Sequence, residues 1–321
     1  MKNTILFIAP DYYGFNEVVF EGLLKYSGQK VFHLNSTLSY QYSNFKERLQ
    51  NFFLKTFQKR NLKIEKKGLH VKQIIESTNF DLLIVNRPDV LANENLNLAI
   101  KKSRHSILLL WDSLEKIPQI QDYIGKFDVC YSFDSLDCER YGFKFIPNFY
   151  FVKSYKNLIK FDVCYLATYD QRISGAIDFF RRFKEQNIVA KGRIFTYKSN
   201  PVKETLPATI KVINKIIPFS QSYKYYLDSK AILDIAHPNQ RGLSFRPYEA
   251  IGLKKKLITT NREILNSDFY DPQNILLVES ISDFTIPQDF FLSPYRDLPN
   301  EIQEKYYIKN WVKNLISTYE S

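Results

Sequence analysis

Cysteine is scarce in this 321-residue chain, which has three: Cys130, Cys138 and Cys164. The odd number and the lack of any zinc spacing exclude a disulfide framework and a thiolate metal site. Cys130 and Cys164 sit inside apolar runs and are expected in the core of a protein from a reducing compartment. Long hydrophobic runs are missing too. No stretch nears the roughly 18 apolar residues of a membrane span. The first run, after Met1-Lys2-Asn3, breaks at Pro10 and Asp11, which predicts a first strand and not a secretion signal. There are only ten glycines, no flexible Gly-Ser tether, and no repeat at a solenoid period. Zinc spacing, an RNP-like aromatic strand and a recognition-helix motif are absent, which argues against nucleic acid as a partner.

The residues that are present supply core and charge. The chain is 45% hydrophobic and 16% aromatic, the aromatics mostly Phe and Tyr. Its length suits two α/β domains of about 150 residues each. Lys and Arg outnumber Asp and Glu by 45 to 34, a net +11. Such a surface favours anionic partners such as phosphate-bearing small molecules, lipid head groups, acidic glycans or, by charge alone, nucleic acid.

Strand and helix patterns alternate through the first half. Strands are expected at Thr4–Ala9, Lys30–Leu34, Asp81–Val85, Ser106–Leu110 and Asp128–Ser132, with Phe145–Pro147 closing the set. Helices are expected at 16–26, 44–68, 71–77, 92–103 and 135–141. This alternation implies right-handed crossovers and a doubly wound parallel sheet. The pattern pauses in NFYFVKSYKNLIK, residues 148–160, which reads as a hinge between touching domains. A second domain restarts with strand Asp162–Ala167, helix 173–186, a strand near 191–196, helix 221–229 and strand Asn274–Val278. The expected division is 1–152, 153–300, and a terminal helix from 301 that packs back onto the first domain.

Residues 44–72 hold nine Lys or Arg against two Glu, a local +7, with Phe45, Phe52, Phe53 and Phe57 interleaved at near-helical spacing. One reading is a solvated helix with its aromatic face in the core. The other is an interfacial helix whose lysines meet anionic lipid.

The chain is organised around residues 231–261, AILDIAHPNQRGLSFRPYEAIGLKKKLITTN. A buried strand, Ala231 to Ala236, leads into a polar loop, and Ser244 is placed to cap a helix that tolerates Pro247 in its first turn. The helix is expected to end near Gly252, before a second buried strand at Leu257 to Thr260. Polar residues therefore gather at a strand's carboxyl end, where open α/β sheets bind ligands. Arg241 and Arg246 beside a helix N-terminus suit a phosphate or diphosphate, because the guanidinium fork pairs with such oxygens. Glu249 is an acceptor suited to vicinal hydroxyls such as those of a ribose. His237 and Gln240 suit a base, a sugar hydroxyl or a phosphate oxygen. The plainer reading leaves both arginines solvated or paired with nearby acids and Glu249 a cap.

The segment GLSFRPYEAIGLKKKLITTN resembles the donor-binding segment of GT-B glycosyltransferases, in particular bacterial surface-polysaccharide and lipopolysaccharide enzymes. In the common retaining members two glutamates flank the start of this helix. Glu249-Ala250 occupies the second glutamate's place, and the first is missing, with Arg241 eight residues upstream of Glu249. The likeness covers about residues 160–280 and is architectural before them. It implies two Rossmann-like parallel-sheet domains facing a cleft, a nucleotide-sugar donor, a saccharide or lipid-linked saccharide acceptor, and no bound metal or other cofactor. It also implies phosphate contacts from the loop after the second domain's first strand, through Thr168 and Arg172.

An inverting transferase needs a carboxylate or His that takes the acceptor's proton. Asp11 and Asp112, both at strand exits, are the candidates, with Glu17 a weaker third; residues so placed are more often turn formers or helix caps. No Asp-x-Asp metal motif stands in a suitable place, and a cationic cluster can stabilise the leaving diphosphate instead. The expectation is a cytoplasmic glycosyltransferase, peripheral at the inner face of the membrane. A sugar-nucleotide epimerase or a non-catalytic nucleotide-sugar binder of the same fold stand as alternatives.

Overall fold

The computed structural model describes residues 3–37, 44–58, 69, 71–153 and 158–320. Its first half alternates β1 (Thr4–Ala9), α1 (Phe15–Tyr26), β2 (Lys30–Asn35), α2 (Phe45–Gln58), α3 (residues 71–76), β3 (Phe80–Val85), α4 (Asn93–Lys101), β4 (Ser103–Leu110), β5 (Val129–Ser132), α5 (Ser135–Tyr141) and β6 (Lys144–Phe145). The second half follows with β7 (Phe161–Thr168), α6 (Ile173–Glu185), β8 (Ala190–Phe195), β9 (Ile210–Ile213), α7 (Phe219–Tyr226), β10 (Ser229–Asp234), α8 (Phe245–Leu253), β11 (Lys256–Thr259) and β12 (Ile275–Leu277). Helices α9 (Gln288–Leu292), α10 (Asn300–Lys305) and α11 (Ile308–Glu320) close the chain.

Two six-stranded sheets result, ordered β2-β1-β3-β4-β5-β6 and β12-β11-β10-β7-β8-β9. Every pairing is parallel, including β1 with β2 and β3, and β7 with β8 and β10. Parallel strands need helices over both faces, so their residues are apolar without alternation. Ile5, Leu6, Phe7, Ile8 and Ala9 are accordingly buried in succession. The doubly wound α/β architecture expected from the alternation is what forms.

The last helix belongs to the first sheet's core. Trp311, Val312, Leu315 and Ile316 pack with Ile5, Phe7 and Val19. Gly22 on α1 lets α11 approach, since a Cβ there would lie 2.7 Å from Ile308 Cδ1. The single terminal helix expected from 301 is two. The chain breaks at Tyr306 and Tyr307 because Tyr150 bridges there, its N–H donating to the Tyr306 carbonyl (3.0 Å) while its carbonyl accepts from Ile308 N–H (2.8 Å).

Other boundaries shift. The strand expected at 231–236 begins at Ser229, so the helix expected over 221–229 stops at Tyr226. Edge strand β9 had no counterpart in the sequence pattern. Its alternation is short, with Ile210 buried and Val212 exposed. Helix α8 runs past Gly252 to Leu253 and is capped by Lys254 in the left-handed region at φ 51°. Gly252 serves close packing instead: a Cβ there would lie 2.5 Å from the Val152 carbonyl oxygen and clash with the Tyr150 ring. In the basic stretch, α2 ends at Gln58, and residues 59–68 and 70 lie outside the described residues.

Candidate functional site

A cleft of roughly 430 Å³ opens between the carboxyl ends of the two sheets. From the first half it is lined by Tyr12 and Tyr13 after β1, Asn86 and Arg87 after β3, and Trp111 and Asp112 after β4. From the second half come Thr168 at the end of β7 and Arg172 after it, His237 and Gln240 after β10, and Ser244, Arg246 and Glu249 in the cap and first turns of α8. Strand order reverses between β1 and β3 and between β7 and β10. A doubly wound sheet opens its ligand crevice at that switch point, because neighbouring crossovers leave in opposite directions. Two non-glycine wall residues, Tyr13 at φ 56° and Arg87 at φ 57°, sit in the left-handed region. Such strain persists only where surrounding structure holds it, and it gathers at functional sites.

Arg246, beside the capped N-terminus of α8, is only 15% exposed at its side chain and faces Asp234, 1% exposed, at 3.3 Å. Its Nη2 donates to the Leu166 carbonyl at 2.5 Å, and its Nε is buried with no partner. Ser244 caps the helix, accepting from the Arg246 N–H at 3.2 Å, while its hydroxyl donates to Asp234 at 2.9 Å. Arg172 is held by Asp170 through Nε and Nη2, and its Nη1 donates to the Ile235 carbonyl at 3.2 Å. Thr168 lines the cleft together with Tyr13. Each of the four wall cations thus faces an acid: Arg87–Asp89, Lys116–Asp112, Arg172–Asp170 and Arg246–Asp234. The corner is therefore a field of oriented donors instead of bare charge, with Arg246 Nε and Asn148 Oδ1 left unpartnered on its wall.

His237 lines the cleft, and burial, followed by Lys116 and Arg172, holds its pKa below the ordinary value. Its Nε2 lies 3.2 Å from Gln171 Nε2. Gln240 reaches across the cleft and donates to Asp112 at 3.1 Å. Asp112 also accepts from Lys116 at 2.5 Å, which orients its carboxylate toward the cleft. Asp11 and Arg241 do not line the cleft. Asp11 is exposed and its N–H donates to Thr37, while Arg241 is exposed with its N–H on Asp134. Glu17 is exposed on α1 and likewise off the wall.

Sequence reasoning passed over the asparagines and the aromatic seam. Asn16 accepts from Trp111 Nε1 at 3.0 Å and donates to the Pro10 carbonyl at 2.7 Å, while Asn86 donates to the Leu109 carbonyl at 2.7 Å. Phe245 packs at 4.8–5.8 Å on Phe15, Trp111, Phe149 and Phe219, tying the two halves at the cleft floor. Asp134 is a second tie, its carboxylate accepting from Arg241 N–H (2.8 Å) and Gly242 N–H (3.0 Å). A side chain at Gly242 would collide with Phe133, whose carbonyl oxygen lies 2.5 Å from the Cβ position. Asparagines beside strand exits were the available sequence signal.

Glu249 is 5% exposed and accepts from the Ser222 hydroxyl at 2.8 Å. Burial pushes its carboxyl up to about 7 against the opposing pull of Ser222 and Arg246. A folded-state pKa above the unfolded value of 4.5 means stability is full below that value and is lost as pH rises through 7. The loss is about 3 kcal/mol. Unfolding midpoints from pH 5 to 8 are expected to fall more steeply for the wild type than for Glu249→Gln, and parallel curves would refute this.

No family model matches the chain, and no curated protein does. Solved structures do. The chain is similar to a glycosyltransferase from Rickettsia africae ESF-5, with TM-score 0.55, 14% identity, and 99% of this chain and 98% of that one covered. It is also similar to the DNA modifying enzyme beta-glucosyltransferase, with TM-score 0.50, 12% identity, and 99% and 100% covered. A UDP-N-acetylglucosamine 2-epimerase from Rickettsia bellii aligns at TM-score 0.49 and 10% identity over 100% and 96% of the two chains. At these identities the first two likenesses show the fold alone, which is the two-domain α/β GT-B fold.

Proposed function

We propose that this protein is a glycosyltransferase that moves a sugar from a nucleotide-sugar donor to a hydroxyl of a saccharide or lipid-linked saccharide in bacterial surface-polysaccharide or lipopolysaccharide assembly. One observation carries the reading: Thr168, Arg172, Ser244, Arg246 and Glu249 share one cleft wall with Asp112 on the opposite half. In this reading the donor's diphosphate lies at the N-terminus of α8 against Arg172 and Arg246 Nε. Glu249 faces the ribose, and the apolar end at Phe195, Ile213 and Ile216 takes the base. Asp112 receives the acceptor's proton as the acceptor oxygen bonds the anomeric carbon and the bond to the diphosphate breaks. The arginines take up the charge that develops on the leaving group.

A thermal-shift panel of UDP-, GDP- and CMP-sugars tests this. One nucleotide family is expected to raise the midpoint, and Arg172→Gln to weaken that ligand about tenfold to a hundredfold. Arg241→Ala, off the cleft wall, is expected to leave the shift intact. No shift from any donor would discard the proposal, and isomerisation of a donor without acceptor would replace it with an epimerase.

A cytoplasmic protein peripheral to the inner membrane face fits helix α2. Phe45, Leu49 and Phe53, spaced four apart on one helical stripe, are 76%, 48% and 52% exposed, with exposed Lys46 and Arg48 beside them. The core reading of the aromatic face does not hold for Phe45 and Phe53. Among the described residues no helix is long and apolar enough to cross a membrane. Flotation with phosphatidylglycerol vesicles is expected to be about tenfold weaker for Phe45→Ser/Phe53→Ser. Equal binding of wild type and variant would remove α2 from the membrane.

A further inference from the structure

A second groove, of roughly 640 Å³, lies between α7 and the β8–β9 edge of the second sheet. Its lining includes Lys191 and Arg193 of β8, Lys211 of β9, and Lys224, Tyr225 and Asp228 in and after α7. The placement follows from strand geometry. Alternate residues of a strand share a face, so Lys191 and Arg193 point together, and the register sets Arg193 beside Lys211. The groove sits toward the amino ends of these strands, whereas the cleft is at their carboxyl ends; Ile217 borders both.

The groove's charges are unbalanced. Lys191 is committed, donating to Asp228 and, at 2.8 Å, to the Tyr225 carbonyl at the end of α7. Its ammonium and the Arg193 guanidinium lie 4.1 and 4.8 Å from the Tyr225 ring, a contact that steadies both cations. Arg193, Lys211 and Lys224 are exposed, and none of them has an ion pair with a described carboxylate. Three uncompensated cations around one concave surface repel one another until an anion joins them. Tyr225 is 8% exposed, so the groove offers no open ring on which a nucleic-acid base could stack.

We propose that this groove is a second anion site that binds a phosphoryl-bearing ligand, with Arg193 as the fork and Lys211 and Lys224 as point charges. Its volume accommodates more than one phosphoryl group. The same chemistry serves a soluble phosphate chain and a lipid phosphate, and the two are separable by probe. The site stands apart from the cleft reading, because none of Arg193, Lys211 or Lys224 lines the cleft.

Inorganic tripolyphosphate and dihexanoyl phosphatidate, each titrated calorimetrically into the full chain, test the site. At least one is expected to bind, and the triple variant Arg193→Gln/Lys211→Gln/Lys224→Gln to lose about tenfold or more in affinity. The three residues are exposed, so an unchanged unfolding midpoint is expected and checks the fold. Arg172→Gln, which affects only phosphate binding in the cleft, is expected to leave the binding lost in the triple variant unchanged. Preference for tripolyphosphate identifies a soluble ligand, and preference for phosphatidate a lipid one. Binding of neither probe, loss in Arg172→Gln instead of the triple variant, or duplex DNA as the sole ligand of these residues would each overturn the proposal.

Discussion

Asp234→Ala is expected to lower stability by about 3–5 kcal/mol, the cost of leaving a buried charge without its partner. The Asp234 carboxylate is 1% exposed and takes bonds from Ser244 Oγ (2.9 Å), Arg246 Nη1 (3.3 Å) and Thr259 Oγ1 (3.1 Å). Without it the Arg246 guanidinium keeps only the Leu166 carbonyl. The cap of α8 loses its orienting acceptor, and β11 loses a tie to β10. Removing the arginine's charge as well should recover most of the loss, because the penalty lies in the unpaired cation and not in the missing attraction. Urea unfolding of Asp234→Ala and of Asp234→Ala/Arg246→Met measures both. A single variant within about 1 kcal/mol of wild type would show that the pair is solvated and that α8 is held otherwise.

Trp311→Ala is expected to cost a similar amount, about 3–5 kcal/mol, by opening a cavity under the cleft floor. Trp311 is 2% exposed, with its ring centroid 5.6 Å from that of Trp111 and 4.7 Å from that of Phe149. Its indole N–H donates to the Pro147 carbonyl at 2.8 Å, which the substitution would leave unanswered. Phe149 and Trp111 both touch Phe245, so the damage should reach the start of α8. The donor-induced thermal shift is therefore expected to shrink along with stability. The chain has two tryptophans, so Trp111 fluorescence alone reports unfolding of the variant. A loss below about 1 kcal/mol would mean that α11 is not anchored to the first sheet.

Both effects concern residues whose role is invisible in one dimension. Asp234 reads as the end of an apolar strand, and nothing nearby announces that it meets a side chain twelve positions on. Arg246 and Arg172 read as cations at helix starts, and the sequence does not show which acid, if any, each one meets. In the fold each faces an acid, because a guanidinium carried partly out of water needs a carboxylate or carbonyl to replace its solvation. Arg241 shows the opposite. Its loop is tied down by Asp134 of the first half, and its side chain turns away from the cleft, because the loop's N–H groups found their acceptor across the seam.

The sequence alone determined the class of fold. Runs such as Ile5 to Ala9 and Ala231 to Leu233, apolar without alternation and separated by helical patterns, suit parallel strands covered on both faces. It also determined that polar residues would gather at strand exits, because apolar side chains fill the strands themselves. Only the tertiary structure decided which exits face one another, which cations keep a free donor, and that α11 returns to the first sheet. Those outcomes depend on contacts between residues hundreds of positions apart, such as Gly22 with Ile308 and Trp111 with Trp311. No local preference encodes such contacts, because their energy exists only once both surfaces are formed.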